Sequence, residues 1–229
     1  MKTIAYQIGR SRTPTMTHGT SVESAIELIE WGRTKPPEDG PWHHDERGFM
    51  YFSPIKKAFR RHWFHDEISE EETKLSAIKT GADYAQLNQY ERIMREHQIP
   101  FPTRPFDYCE VDQWLMGNIG DEELIRILGR ECPDIRTVFG REEWQKARRQ
   151  LEDRRGIVIE LNKRALRLEL YDEDLGGEIK IHLPDGLSLE YVHRIIPCGK
   201  LEEQTIDETL QTHQRQEIRK VKIRSPFSN

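Results

Sequence analysis

A histidine and a glycine stand side by side in Thr17-His18-Gly19-Thr20-Ser21. They combine a ring that exchanges protons near neutrality with a backbone that another group can approach closely. Two further fragments carry complementary groups. Gly48-Phe49-Met50-Tyr51-Phe52-Ser53-Pro54 offers an aromatic face and a hydroxyl, and Leu187-Ser188-Leu189-Glu190-Tyr191-Val192 offers a carboxylate among apolar neighbours. Each has an ordinary explanation when taken alone. A strand-end histidine is more often structural, a tyrosine in an apolar strand is by default a core aromatic, and a lone glutamate on a strand face is either solvated or functional. Glu178 and Asp185 are nearby rivals of Glu190, but Pro184-Asp185-Gly186 is better explained as turn chemistry. The pairs His43-His44 and His62-x-x-His65 invite a metal reading, yet no cysteine or carboxylate completes a set with familiar ligand spacing, so solvated histidines are the better account. Neither G-x-x-x-x-G-K-[ST] nor G-x-G-x-x-G occurs, which argues against a P-loop or a Rossmann dinucleotide site. Cys109, Cys132 and Cys198 are odd in number and far apart, supporting neither a disulfide framework nor a CxxC zinc site, and they lack the His-Asn context of a cysteine nucleophile.

The elements that must position these groups follow from hydrophobic spacing. Residues 3–8 and 15–20 suit two short strands broken by a polar, proline-containing turn. Val22, Ala25, Ile26 and Ile29 fall at helical spacing, with Ser21 or Thr20 as cap and Gly32 at the end. Residues 33–47 form a charged loop, 48–54 a buried strand stopped by Pro54, and 55–64 a helix. The stretch 66–98 predicts one or two helices, 99–107 a proline-rich connector, and 121–129 and 141–154 further helices. From Arg155 the pattern changes to short strands at 156–161, 166–171, 178–183 and 189–196. The final residues read as a helix to about Arg219 followed by a basic tail.

The chain has 229 residues, of which 35% are hydrophobic and 33% charged, with a net charge of −5. It is more polar than an average globular chain but keeps 5 Trp, 7 Tyr and 8 Phe, so a buried core is the better reading than disorder. The balance of charge announces no global nucleic-acid-binding field. The absence of a long apolar run and of a secretory leader at Met1–Arg10 predicts a cytoplasmic protein without a membrane span. Strands at both ends with helices between them predict an α+β fold, a single domain over 1–229 with 65–155 as a mainly helical insertion.

The three fragments, in their order and context, resemble the ADP-ribosyltransferase superfamily, specifically the diphtheria-toxin-like branch that includes the poly(ADP-ribose) polymerases. That branch carries H-G-[ST] after a strand, G-[IF]-Y-[FL] on a second strand before an Ala-containing helix, and E-Y-[IV] on a late strand. The matching stretches are a minor part of the chain. The resemblance implies a split β-sheet core and NAD as co-substrate, with no metal. His18 would bond a ribose hydroxyl, Gly19 would pair its backbone N–H and C=O with the nicotinamide carboxamide, and Thr20 completes that motif. Tyr51 would stack on the nicotinamide ring, and Glu190 would bond the ribose 2′-hydroxyl and stabilise the cationic centre. Such a site suits cleavage of the nicotinamide–ribose bond, which passes through an oxocarbenium-like centre as glycosides do. The segment after Tyr51 is shorter than in the polymerases. Ser53 is the candidate for the hydroxyl that contacts the carboxamide, and Phe59 or Trp63 for the aromatic that covers the ring. Residues 65–155 have no counterpart in the family pattern.

The implied activity is mono-ADP-ribosyl transfer to a macromolecular acceptor: protein, DNA or RNA. The size resembles toxin and phage-defence members, which are often held in check by an inhibitory antitoxin or immunity protein. Two alternatives remain. The RNA 2′-phosphotransferases share the fold and NAD but grip phosphate with basic residues, for which Arg60 and Arg61 are available. A non-catalytic module would hold NAD or ADP-ribose without chemistry. Lys56, Lys57, Arg60 and Arg61, and the basic residues between Arg215 and Arg224, are by default solvated faces; near an NAD cleft the first group could bind pyrophosphate or a nucleic-acid acceptor.

Overall fold

A computed structural model describes residues 2–8, 14–35, 49–55, 70–96, 119–128, 142, 155–168, 170–173 and 179–227. The chain divides into two compact units, one of Met1–Pro37, Gly48–Gln89 and Arg154–Asn229, the other of Glu38–Arg47 and Tyr90–Asp153. Among the described residues the first unit holds eight strands: β1 (Lys2–Ile8), β2 (Met16–Thr20), β3 (Phe49–Pro54), β4 (Ile157–Leu161), β5 (Leu170–Glu173), β6 (Ile179–His182), β7 (Val192–Pro197) and β8 (Ile218–Arg224). They form one sheet in the order β5–β6–β3–β2–β4–β7–β1–β8, and the neighbours pair antiparallel. With the helices α1 (Val22–Trp31), α2 (Glu70–Glu96), α3 (Asp121–Leu128) and α4 (Lys200–His213), the chain is of the α+β class. In the second unit, α3 carries an exposed Arg126–Glu123 ion pair one turn apart. Among the described residues no helix is long and apolar enough to cross a membrane.

Strand alternation loads both faces of the sheet. On one face Tyr6, Met16, Phe52, Ile157, Ile159, Leu161, Ile179 and Ile195 pack with Leu28 and Ile29 of α1 and Ile206 of α4. On the other, Ala5, Val158 and Ile196 meet Ile78 of α2. Helix α1 has the predicted ends. Ser21 is extended and its Oγ accepts from Ser24 N at 3.3 Å, while Gly32 adopts φ 77° and returns its N–H to Leu28 O. Arg215 then closes the C-terminus by donating to Ile29 O at 2.7 Å and Glu30 O at 2.9 Å. Removing the cap with Ser21→Ala is expected to cost about 1 kcal/mol and to lower Tm by about 2–4 °C in a thermal melt. An unchanged Tm would mean that the bond from Val22 N to Gln89 Oε1 (2.9 Å) secures this end without Ser21.

Three expectations are corrected. The strand expected at 166–171 begins at Leu170, because Asn162 caps a 3-10 turn over Lys163–Arg167 by accepting from Arg164 N at 2.8 Å. A period near three turns Ala165 and Leu168 inward and leaves Leu166 exposed. The strand expected from Leu189 begins at Val192, and Leu189–Tyr191 is another 3-10 turn. The C-terminal helix stops at His213, where Gln214 turns left-handed at φ 48°, and the expected basic tail is the edge strand β8. Seven ladder pairs hold β8 to β1, from Lys2–Arg224 to Ile8–Ile218. Ile218, Val221 and Ile223 supply its apolar contacts, and the exposed Arg and Lys give it the charge common on edge strands. The helix expected at 55–64, the loop and histidines of 36–47, His62, His65 and the helix expected at 141–154 lie outside the described residues, apart from Glu142 and from Ile55, which is buried and donates its N–H to Thr15 O at 2.9 Å.

Candidate functional site

Strands β2 and β3 run together for only two residue pairs, Met16–Pro54 and Thr17–Ser53. Beyond them β2 stays paired with β4 as far as Thr20–Ile157, and β3 stays paired with β6 from Phe49–His182 to Phe52–Ile179. The two strands therefore part from His18 onward, and the facing edges lose their ladder.

His18 spans the opening. Its Nδ1 lies 2.8 Å from Tyr51 O. A carbonyl only accepts, so Nδ1 carries the proton and Nε2 remains an acceptor. Burial pushes the ring pKa down to about 4, against the opposing effect of the Tyr51 carbonyl, so His18 is neutral at pH 7. The ring that lies against it is that of Phe52, at 5.1 Å between centroids and 43° between planes. Alternation along β3 puts the Tyr51 side chain on the opposite face from Phe52. There Lys180, its ladder partner, places Nζ 5.9 Å from the centre of the Tyr51 ring. The structure thus joins His18 to the backbone of Tyr51.

Gly19 sits beneath α2. A Cβ on Gly19 would lie 2.0 Å from Gly81 O and 2.4 Å from Ala85 N, so no other residue fits while the helix is in place. Gly19 O accepts from Asn88 Nδ2 at 2.9 Å. Thr20 is buried at the end of β2, and Ser53 is buried with its carbonyl 3.4 Å from Thr17 Oγ1. Phe59 and Trp63 lie outside the described residues.

Glu190 stands apart from these groups. It occupies the 3-10 turn before β7, with its side chain 54% exposed and its carboxylate 3.7 Å from the exposed Arg164 Nη1. In register His18 faces Ile159 and Ile159 faces Ile195, which places Glu190 two strands from β2 and five residues upstream of His18's level. Asn162 Nδ2 anchors this turn through Glu190 O at 2.7 Å and Val192 O at 3.1 Å.

The carboxylate closest to His18 in register is one that sequence reasoning passed over. Glu160, opposite Thr17 on β4, is fully buried. Its Oε2 accepts from Arg194 Nε at 2.5 Å, and Lys74 Nζ of α2 lies 4.0 Å from Oε1. A bulge in the β4–β7 pairing skips His193, whose buried ring is pushed down to about pKa 4 by burial, against the opposing pull of Glu160. Among the described residues Glu160 Oε1 and His193 Nδ1 have no hydrogen-bond partner. The available signal was a single charge inside the apolar run Ile157-Val158-Ile159-Glu160-Leu161.

The two lowered histidines fix a pH dependence. Each is neutral in the fold but takes up a proton near pH 6.5 in the unfolded chain, so the unfolded state binds more protons between about pH 6.5 and 4. Stability therefore falls as pH falls through that window, by about 1–2 kcal/mol per histidine at pH 5. Urea midpoints at pH 7 and pH 5 for the parent and for His193→Gln check this. The variant should lose less on acidification, and an equal loss would refute the assignment to His193.

Among the described residues no three His, Cys, Asp or Glu side chains come together as a metal site. In comparison with known proteins, no family model matches the chain, and neither does any curated protein or solved structure.

Proposed function

We propose that the protein is a NAD-dependent mono-ADP-ribosyltransferase whose ligand cleft is the opening between β2 and β3. The observation that carries this reading is the parting of the two strands after Thr17–Ser53, with His18 at its mouth and the His18-Gly19-Thr20 segment along one edge. An opening in the sheet with His18-Gly19-Thr20 along one edge and Phe49–Phe52 along the other is compatible with the split core that the family resemblance implies. Neutral His18, with Nδ1 committed to Tyr51 O, has Nε2 as the acceptor for a ribose hydroxyl.

In the reaction, the bond between ribose C1′ and the nicotinamide nitrogen breaks and its electron pair returns to the pyridinium ring, releasing neutral nicotinamide. A nucleophilic atom of the acceptor forms the new bond to C1′ and gives up its proton. The chain's own part is to hold the two halves apart and in line, and to place negative charge near C1′. Glu190 is the carboxylate assigned to that task. Its exposed pairing with Arg164 is weak enough to be exchanged for a ribose hydroxyl.

A second reading, a module that holds NAD or ADP-ribose without turnover, is favoured by the distance in register between Glu190 and His18. Purified protein incubated with labelled NAD and a whole-cell lysate, followed by separate protease, DNase and RNase digestion, tests both. Label in the macromolecular fraction supports transfer, and the digestion that removes it names the acceptor class. Bound NAD with neither label nor released nicotinamide supports the module.

A further inference from the structure

We propose that α2, through Asn88 and Gln89, is a built-in occupant of the ligand site at the end of β2, which NAD must displace. This rests on the transferase reading above and adds regulation to the same site. Adjacent side-chain amides on α2 take opposite hydrogen-bonding groups of the His18–Val22 segment. Asn88 Nδ2 donates to Gly19 O at 2.9 Å, and Gln89 Oε1 accepts from Val22 N, the first helical amide of α1, at 2.9 Å. Gln89 is held in place by a further bond from its Nε2 to Glu23 Oε2 at 3.3 Å. The Asn88 side chain ends in a carboxamide, the same group that nicotinamide carries, and it donates to the carbonyl assigned to that group.

Access is blocked as well as hydrogen-bonding capacity. An atom at the Cβ position of Gly19 would stand 2.0 Å from Gly81 O and 2.8 Å from Tyr84 Cβ, so a ligand cannot reach this face of Gly19 while α2 lies on it. Among the described side chains of α2, Ala77, Ile78 and Ala85 are buried and Leu75 and Tyr84 exposed, and Thr17 Oγ1 donates to Ala77 O at 2.7 Å. Lifting α2 also admits water to Glu160 Oε1 and His193 Nδ1, which lack hydrogen-bond partners among the described residues in the covered state.

The test uses the full chain and NAD itself. Hydrogen exchange of residues 81–89 is measured with and without saturating NAD, and NAD affinity is measured for the parent, Asn88→Ala and Gln89→Ala. The expected result is faster exchange over 81–89 when NAD binds, with affinity increasing about fivefold for each amide removed. NAD binding by the parent with exchange over 81–89 unchanged or slowed, and no gain in the variants, would overturn the proposal while leaving the transferase reading intact. Absence of NAD binding by the parent and by both folded variants would overturn the two together. Should a variant fail to fold, exchange in the parent decides.

Discussion

Glu190→Gln is expected to lower the rate of nicotinamide release from NAD by about 10²–10³-fold while changing NAD affinity only a few-fold. The substitution keeps the size and one hydrogen-bond acceptor of the side chain and removes its charge. Charge matters little in the resting protein, where the carboxylate is 54% exposed and faces Arg164 at 3.7 Å in water. In the proposed reaction it matters in the transition state, when bound substrate would exclude water and positive charge would develop at C1′. The effect should therefore fall on kcat and spare KM. His18→Ala should do the reverse in part, weakening binding by removing the proposed ribose-hydroxyl acceptor. A loss under about tenfold in Glu190→Gln would mean that its carboxylate stays hydrated and away from the reacting carbon. With NAD still bound, that outcome would select the non-catalytic module.

The legibility of the fold followed how local each signal was. Helix α1 could be read whole because its cap, its apolar stripe and its terminal glycine are within twelve residues, and the structure places all three as expected. The strands β2, β3, β4 and β6 announced themselves by short apolar runs between turn signals. The late turns depart from the sequence expectation because Leu166, Leu168 and Leu170 alternate as a strand would, whereas the backbone bonds from Ala165 N to Asn162 O and from Leu168 N to Ala165 O, capped by Asn162 through Arg164 N, make a 3-10 turn. Strand β8 was hidden by its four exposed basic residues, since its partner β1 is more than two hundred residues away in sequence. At the site, the juxtaposition of His18 with Tyr51 was legible only as the order of two motifs. That the contact runs through the Tyr51 carbonyl, and that Phe52 lies on the His18 ring, depends on strand alternation at a place where the ladder has ended. The Glu160–Arg194 pair and the Asn88–Gly19 bond join residues 34 and 69 apart in sequence, a distance over which no local pattern carries information.

Gly19→Ala is expected to destabilise the fold by about 3 kcal/mol, read as a lowered urea midpoint, because the added carbon meets backbone that cannot turn aside. Its neighbours would be Gly81 O at 2.0 Å and Ala85 N at 2.4 Å, so α2 must move off β2 as a body. Gly156→Ala should behave in the same way for two reasons, a positive φ of 72° and a contact of 2.5 Å with Ala85 O. Gly81→Ala is the control on the helix side. Its Cβ would meet Val158 Cγ1 at 3.3 Å and Thr17 Oγ1 at 3.5 Å, and the gain in helix propensity of about 1 kcal/mol offsets so small a crowding. The comparison separates two demands for a glycine that sequence cannot distinguish, close approach of a ligand and close approach of a helix. If Gly19→Ala lowers the midpoint as expected while Gly81→Ala does not, the helix makes the demand, and the part of Gly19 in NAD binding resides in its backbone groups once α2 has lifted. If Gly19→Ala keeps the midpoint and loses NAD turnover, the ligand makes the demand and α2 does not rest on β2 in solution.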